Sequence, residues 1–262
     1  MRFSCKVFLE RPQQAVVPPD YRRYLLSMIK EAFKKSGSDG EDFFENIYSK
    51  NIQKPFTFSA YFPIKKENGV QKLEGEFFSF FFSTNDYEFL MRVYNGLNSI
   101  KGFNLFGQNI KEVKHFFLFP ERRFDKETVT FKTLSPFLVR DTEDGDYYLV
   151  PQDLIDQKEF KYAKKGVSKD NVIDSLKKNI VSLVERYLSF DYDENNLMIA
   201  LEKIALSPAK HGSGGSNFMM TLPAMKGLIT IQASPEVLKL IYDIGIGARR
   251  SEGFGMLEVV EK

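Results

Sequence analysis

The 262-residue chain is 43% hydrophobic and 27% charged, with a formal net charge of +2, a balance that suits a soluble globular protein of one large or two ordinary domains. Cys5 is the only cysteine, and His115 and His211 are the only histidines. These counts exclude an internal disulfide framework, a multi-cysteine zinc site and a histidine-rich metal centre, and they fit a reducing, cytoplasmic compartment. No apolar run reaches membrane-spanning length, and the opening MRFSCKVFLE alternates like a strand where a signal peptide would carry a long apolar core. No membrane anchor is expected.

In chain order, Met1 to Leu9 reads as a strand, and Pro18-Pro19 with the capping candidate Asp20 opens a helix to about Lys35. Strands follow near Pro55 to Pro63 and Glu74 to Ser83, then a helix near Asp86 to Ser99 and a strand near Ile110 to Phe119. That is the β-α-β-β-α-β order of a ferredoxin-like domain. In the run EGEFFSFFFS, Phe78, Phe80 and Phe82 point to one face and Phe77 and Phe81 to the other. One face is expected under helices and the other against a second domain. His115 falls by strict alternation on the face of Val113, Phe117 and Phe119, where a hydrogen-bonded core imidazole is expected.

After PERRFDKE the order repeats. A strand near Thr128 to Leu134 leads to a small hairpin around Asp144-Gly145-Asp146, and a long helix from about Ser168 to Leu188 carries an apolar stripe. Strands near Asn196 to Leu206 and Gly227 to Gln232, a helix opening at Ser234-Pro235 and a final strand complete a second copy. The expected fold is α+β, two tandem ferredoxin-like (RRM-like) domains, residues 1–122 and 123–262. Asp141, Asp144 and Asp146 suggest a calcium loop only superficially, since Gly145 falls one place early, and a solvated hairpin tip is expected. Lys158 to Lys178 includes seven lysines, a candidate cationic patch or a solvated helix face.

Near the C-terminus the run GIGARRSEGFG sets Gly245, Gly247, Gly253 and Gly255 around Arg249 and Arg250. Such a loop can take positive φ angles and offer backbone N–H groups and guanidinium forks to a polyanion. Its context is helix, loop, strand, the reverse of the strand, glycine turn, helix of dinucleotide sites and P-loops, so no nucleotide cofactor is expected. A second glycine-serine segment, SPAKHGSGGSNF, reads as a mobile loop in which Lys210 and His211 can reach RNA.

The ending GIGARRSEGFGMLEVV resembles the glycine-rich loop and last strand of the CRISPR-associated endoribonucleases, RAMP-superfamily proteins that cut repeat RNA into guide RNAs. MRFSCKVFL with YRRYLLSMIKEAF, KPFTFSAYF, TFKTLSPFLVRD with its Ser135-Pro136 pair, and KGLITIQASPEVLKLIYDIGIG agree with the same family. The resemblance implies metal-independent cleavage of CRISPR repeat RNA, in which a 2′-hydroxyl attacks the adjacent phosphate and leaves a 2′,3′-cyclic phosphate. It calls for no cofactor.

In that family the catalytic positions lie on the first helix and just before the FTFS-like strand, where a histidine is common. Here the resemblance puts Lys54 at a lysine position, Tyr48 where the histidine would stand, and Lys30 on the first helix. The candidate RNA-contact residues are Gly245, Gly247, Arg249, Arg250, Gly253 and Gly255 of the glycine-rich loop, with Lys210 and His211 of the glycine-serine segment. Tyr and Lys titrate near 10 unless perturbed, so slow cleavage at neutral pH is expected. Two alternatives stay open: a repeat-RNA-binding subunit of a CRISPR effector complex without cleavage, and a protein-interaction scaffold of the same fold.

Overall fold

The computed structural model describes residues 1–49, 53–155, 160–212 and 219–261. The chain divides into two compact units, Met1–Glu121 and Arg122–Lys262. The first contains β1 (Arg2–Leu9), α1 (Tyr21–Lys34), α2 (Gly40–Tyr48), β2 (Phe56–Tyr61), β3 (Ile64–Glu67), β4 (Val70–Leu73), β5 (Phe77–Thr84), α3 (Tyr87–Ser99), β6 (Asn104–Leu105) and β7 (Gln108–Leu118). Its sheet runs β2-β5-β1-β7-β6 with antiparallel neighbours throughout. Leaving out the short β6, this is the ferredoxin-like strand order.

The period-two pattern decides which side chains enter this core. Phe3, Cys5, Val7 and Leu9 of β1 and Phe78, Phe80 and Phe82 of β5 are buried with Leu25, Met28, Ile29 and Phe33 of α1. Each such side chain contributes on the order of 2 kcal/mol of transfer free energy. Phe77 and Phe81 lie half-buried on the opposite face. Two insertions interrupt the expected order, α2 and the hairpin β3–β4. The hairpin turns at Asn68-Gly69, both at positive φ (50° and 78°), the pair that favours a two-residue turn.

His115 departs from its expected place. Ser4 pairs with Phe117 but Lys6 with Lys114, so two residues of β7 oppose Cys5. This β-bulge, with His115 at φ 54°, breaks the alternation. Phe116 turns inward against Phe3 (centroids 5.9 Å apart) and Tyr94 (4.5 Å), while His115 is exposed and Phe117 is 54% exposed. The expected core imidazole is therefore a surface one.

The second unit contains β8 (Thr128–Thr133), β9 (Val139–Arg140), β10 (Tyr148–Leu149), α4 (Gln152–Ile155), α5 (Lys169–Leu188), β11 (Met198–Leu206), β12 (Ala209–Gly212), β13 (Met219–Leu222), β14 (Met225–Gln232), α6 (Pro235–Ile244) and β15 (Leu257–Val259). The main sheet, β11-β14-β8-β15, repeats the order of the first unit. A capping box starts α5: Ser168 Oγ accepts from Asn171 N at 3.1 Å, and Asn171 Oδ1 accepts from Ser168 N at 3.0 Å. Its stripe of Leu176, Ile180, Leu183 and Val184 packs with Ile229 and Ile231 of β14 and Leu238 and Ile241 of α6. Among the described residues no helix is long and apolar enough to cross a membrane.

Gly96 of α3 lies where α1 passes, and a Cβ built there would overlap the Ala32 carbonyl. Gly96→Ala must push the two helices apart, at an expected cost of about 1–3 kcal/mol. Urea denaturation of the variant beside the wild type checks this.

Candidate functional site

In the first unit, three elements bring Lys30, Tyr48 and Lys54 together. Helix α1 carries Lys30, α2 ends on Tyr48, and Lys54 sits two residues before β2. The Lys30 ammonium lies 4.6 Å from the centroid of the Tyr48 ring and that of Lys54 4.9 Å from it. The tyrosine ring also rests on Phe44, centroids 4.9 Å apart.

What holds this group is the anchoring of α2. Arg92 on α3 clamps Asp39 through two bonds, 3.0 and 2.7 Å, and those bonds keep the Asp39 carboxyl below its usual range. Phe43 packs on Phe33 at 5.6 Å and Phe89 at 5.5 Å. Two cations over one aromatic ring concentrate positive charge that can attract a phosphate. Residues 50–52, between α2 and Lys54, lie outside the described residues.

In the second unit, the glycine-rich loop joins α6 to β15 and packs against residues 135–138. Gly255 N donates to Pro136 O (2.8 Å), Ala248 N to Leu138 O (2.8 Å), Ile246 N to Gly255 O (3.0 Å) and Gly247 N to Asn179 Oδ1 (3.0 Å). Ser135 Oγ accepts from Met256 N at 3.0 Å. Gly245, Gly247, Gly253 and Gly255 all have positive φ and are buried. At Gly247 and Gly255 a Cβ would overlap the carbonyls of Leu138 and Ile246, so only glycine permits the approach. These N–H groups therefore bond within the protein and are not offered to a polyanion, which corrects that expectation.

The two arginines part company. Arg250 is only 5% exposed, and its Nη1 donates to Ile244 O at 3.1 Å at the end of α6. Burial pushes its guanidinium below the ordinary value, opposed by a hydrogen bond with Tyr187. Arg250 thus holds the loop from inside, correcting its expected place on an RNA-facing surface. Arg249, in the left-handed region at φ 57°, turns to a polar cluster the sequence did not reveal. Its Nε donates to Tyr148 Oη at 2.6 Å, and its Nη1 lies 2.9 Å from Glu252 Oε2 and 3.3 Å from His211 Nε2. Burial works against its charge, and Glu252 with Tyr148 outweighs that, holding it above its ordinary value.

His211 lies 3.1 Å from Glu252, and Lys210 Nζ donates to Thr221 Oγ1 at 2.7 Å. Both belong to strand β12, paired with β13, so they are held on a hairpin and not in the mobile loop expected. The glycine-serine tip, 213–218, lies outside the described residues, as does Lys158. Asp141 is likewise no solvated tip. It is buried and meets Lys164 at 2.6 Å; burial resists its ionisation, but hydrogen bonds from Lys164 and from backbone at Glu143 and Asp144 keep its carboxyl below the usual range.

Two ferredoxin-like units, the second ending in a glycine loop locked onto a Ser-Pro segment, are the arrangement that the resemblance to RAMP-superfamily proteins implies. Residues 119–259 match the model of the CRISPR associated protein Cas6 C-terminal domain, and the chain belongs to the Cas6 family. Three solved structures share its fold. A RAMP protein described as binding different RNA substrates aligns over 100% of both chains with 18% identity and a TM-score of 0.73. The product of a Cas6-related gene from Pyrococcus furiosus aligns over 100% of this chain and 99% of its own, at 19% identity and a TM-score of 0.72. A CRISPR associated protein Cas6 aligns over 100% and 99%, at 21% identity and a TM-score of 0.68. No curated protein sequence matches.

Arg250→Met removes the donor that satisfies Ile244 O in a water-free place. We expect a loss of about 1–3 kcal/mol of stability, and a smaller loss for the more exposed Arg249→Met. Thermal melts of the two variants side by side check the order.

Proposed function

We propose that this chain is an endoribonuclease that cuts CRISPR repeat RNA without a metal ion. The observation that supports it best is the convergence of Lys30 and Lys54 on Tyr48. The 2′-oxygen forms a bond to the adjacent phosphorus, the bond from phosphorus to the 5′-oxygen breaks, and a 2′,3′-cyclic phosphate and a 5′-hydroxyl remain. One proton leaves the 2′-hydroxyl and one reaches the departing 5′-oxygen. Lys54 neutralises the charge that builds on the phosphorane, Tyr48 donates to the leaving oxygen or positions it, and Lys30 supplies a second charge, or a base when neutral.

In this reading residues 1–122 form the cutting domain and residues 123–262 the holding domain, acting in the cytoplasm. Arg249 contacts RNA phosphate with Lys210 and His211 beside it, while Gly245, Gly247, Gly253, Gly255 and Arg250 fix the loop from within. A second reading has its own support, because a tyrosine stands where the family often has a histidine. It is a repeat-RNA-binding subunit that associates with other CRISPR effector proteins and does not cut.

Incubating the protein with its host's repeat RNA in EDTA separates the two. Cleavage with a 2′,3′-cyclic end supports the first reading, and a shifted band with intact RNA supports the second. If the protein cuts, Lys54→Ala and Tyr48→Phe are each expected to lower the single-turnover rate about 10²-fold or more. A 2′-deoxy substitution 5′ to the cut should abolish cleavage.

Glu252 competes with phosphate for Arg249. Glu252→Gln should tighten RNA binding several-fold, while Arg249→Ala weakens it for all sequences and lowers the salt slope by about one. Filter binding across a salt series measures both. An unchanged slope means that Arg249 does not touch phosphate.

A further inference from the structure

We propose that a groove beside the glycine loop, bounded by β9 and α5, binds the phosphate backbone of the same RNA at a subsite of its own. This rests on the reading of the chain as a repeat-RNA protein. The groove encloses about 220 Å³, with Arg140 and Thr142 on one side, Lys178, Asn179 and Ser182 of α5 on another, and Gly247-Ala248 at its end. A second hollow of about 320 Å³ shares Asp141, Thr142, Ser175 and Lys178 with it, and there Lys164 and Lys165 are balanced by Glu143 and Asp174, so the anion site is confined to the first hollow.

Arg140, Lys178 and Asn179 bring donors to the first hollow, beside the hydroxyls of Thr142, Ser175 and Ser182. Asn179 spends its Oδ1 on Gly247 N, so what its side chain has left to offer is the amide N–H₂. Arg140 and Lys178 are both exposed, and among the described residues no carboxylate pairs with either. The one carboxylate in the lining, Asp141, is already neutralised by Lys164 at 2.6 Å and accepts from Glu143 N at 3.1 Å. The surplus is therefore positive and suits an anion.

Tyr148, itself buried, links the groove's Arg140 to the loop's Arg249. Arg140 stands 5.8 Å from the centroid of its ring, and its hydroxyl accepts from Arg249 at 2.6 Å. Arg140 on β9 and Lys178 on α5 supply two separate cationic points in the first hollow, which suits the spaced phosphates of an RNA strand better than a single free phosphate.

The test compares the wild type with the double variant Arg140→Ala, Lys178→Ala, its folding checked by melting temperature. Repeat-RNA affinity is measured from low to moderate salt. The expected result is weaker binding with a slope of log K against log salt lower by about two, one for each phosphate no longer held. As a second readout, Ser182→Cys carrying a photoactivatable maleimide should cross-link to the RNA; native Cys5, 2% exposed, does not take the label.

RNA bound equally, with equal slope, by wild type and double variant overturns the groove alone. A wild type that retains no RNA at low salt overturns the groove and the proposed function together. Inorganic phosphate that occupies the groove at millimolar concentration, while RNA binding is insensitive to the double variant, assigns the site to a free anion and also overturns it.

Discussion

The C-terminal unit depends on two backbones lying closer than side chains ordinarily allow. Residues 135–138 and the loop from Gly245 to Met256 exchange hydrogen bonds through Ser135 Oγ, Pro136 O and Leu138 O, and this is feasible only because Gly247 and Gly255 lack a Cβ. Each bond satisfies a polar group that would otherwise be buried at a cost of about 1–3 kcal/mol. The result is a rigid frame and not a supple ribbon. It settles the fate of the two arginines: Arg250 is drawn inward as a helix-end clasp, and Arg249, one residue earlier and in a left-handed conformation, is turned outward to Tyr148, Glu252 and His211.

The first unit solves a different problem, that of keeping like charges near one ring. Lys30 and Lys54 repel each other in the free protein, and the face of Tyr48 moderates that repulsion. Rigidity comes from below, where Phe33, Phe43, Phe56 and Phe89 make a tilted and edge-on aromatic stack. A phosphate arriving between the lysines relieves the repulsion, so the arrangement favours an anion before any chemistry begins.

Much of the fold could be read in the sequence because period-two and helical patterns are local. Phe78, Phe80 and Phe82, the long stripe of α5 and the Ser234-Pro235 start all fell where the pattern put them. The β3–β4 hairpin was also readable, since Asn68-Gly69 is a strong turn pair, but its short polar strands hide the alternation. What could not be read was tertiary. Glu252 stands three residues from Arg249, a spacing that hints at an ion pair, yet Tyr148 and His211 reach the same guanidinium from 101 and 38 residues away. Helix α2 gave little warning, its Phe43 and Ile47 being too few to mark a face.

The bulge at His115 shows the limit of strict alternation and carries a consequence for tolerance to change. One extra residue opposite Cys5 resets the phase of everything that follows in β7, so Phe116 faces α3 because residue 115 is bulged out of the ladder and not because of which side chain it carries. Exchange of the imidazole for asparagine or glycine, both at home with positive φ, would leave the strand undisturbed. Excision of that single residue would bring Phe116 directly after Lys114 in plain alternation, opposite the buried Cys5 and still facing inward. The bulge is thus a place where β7 can absorb a change of length as well as of chemistry.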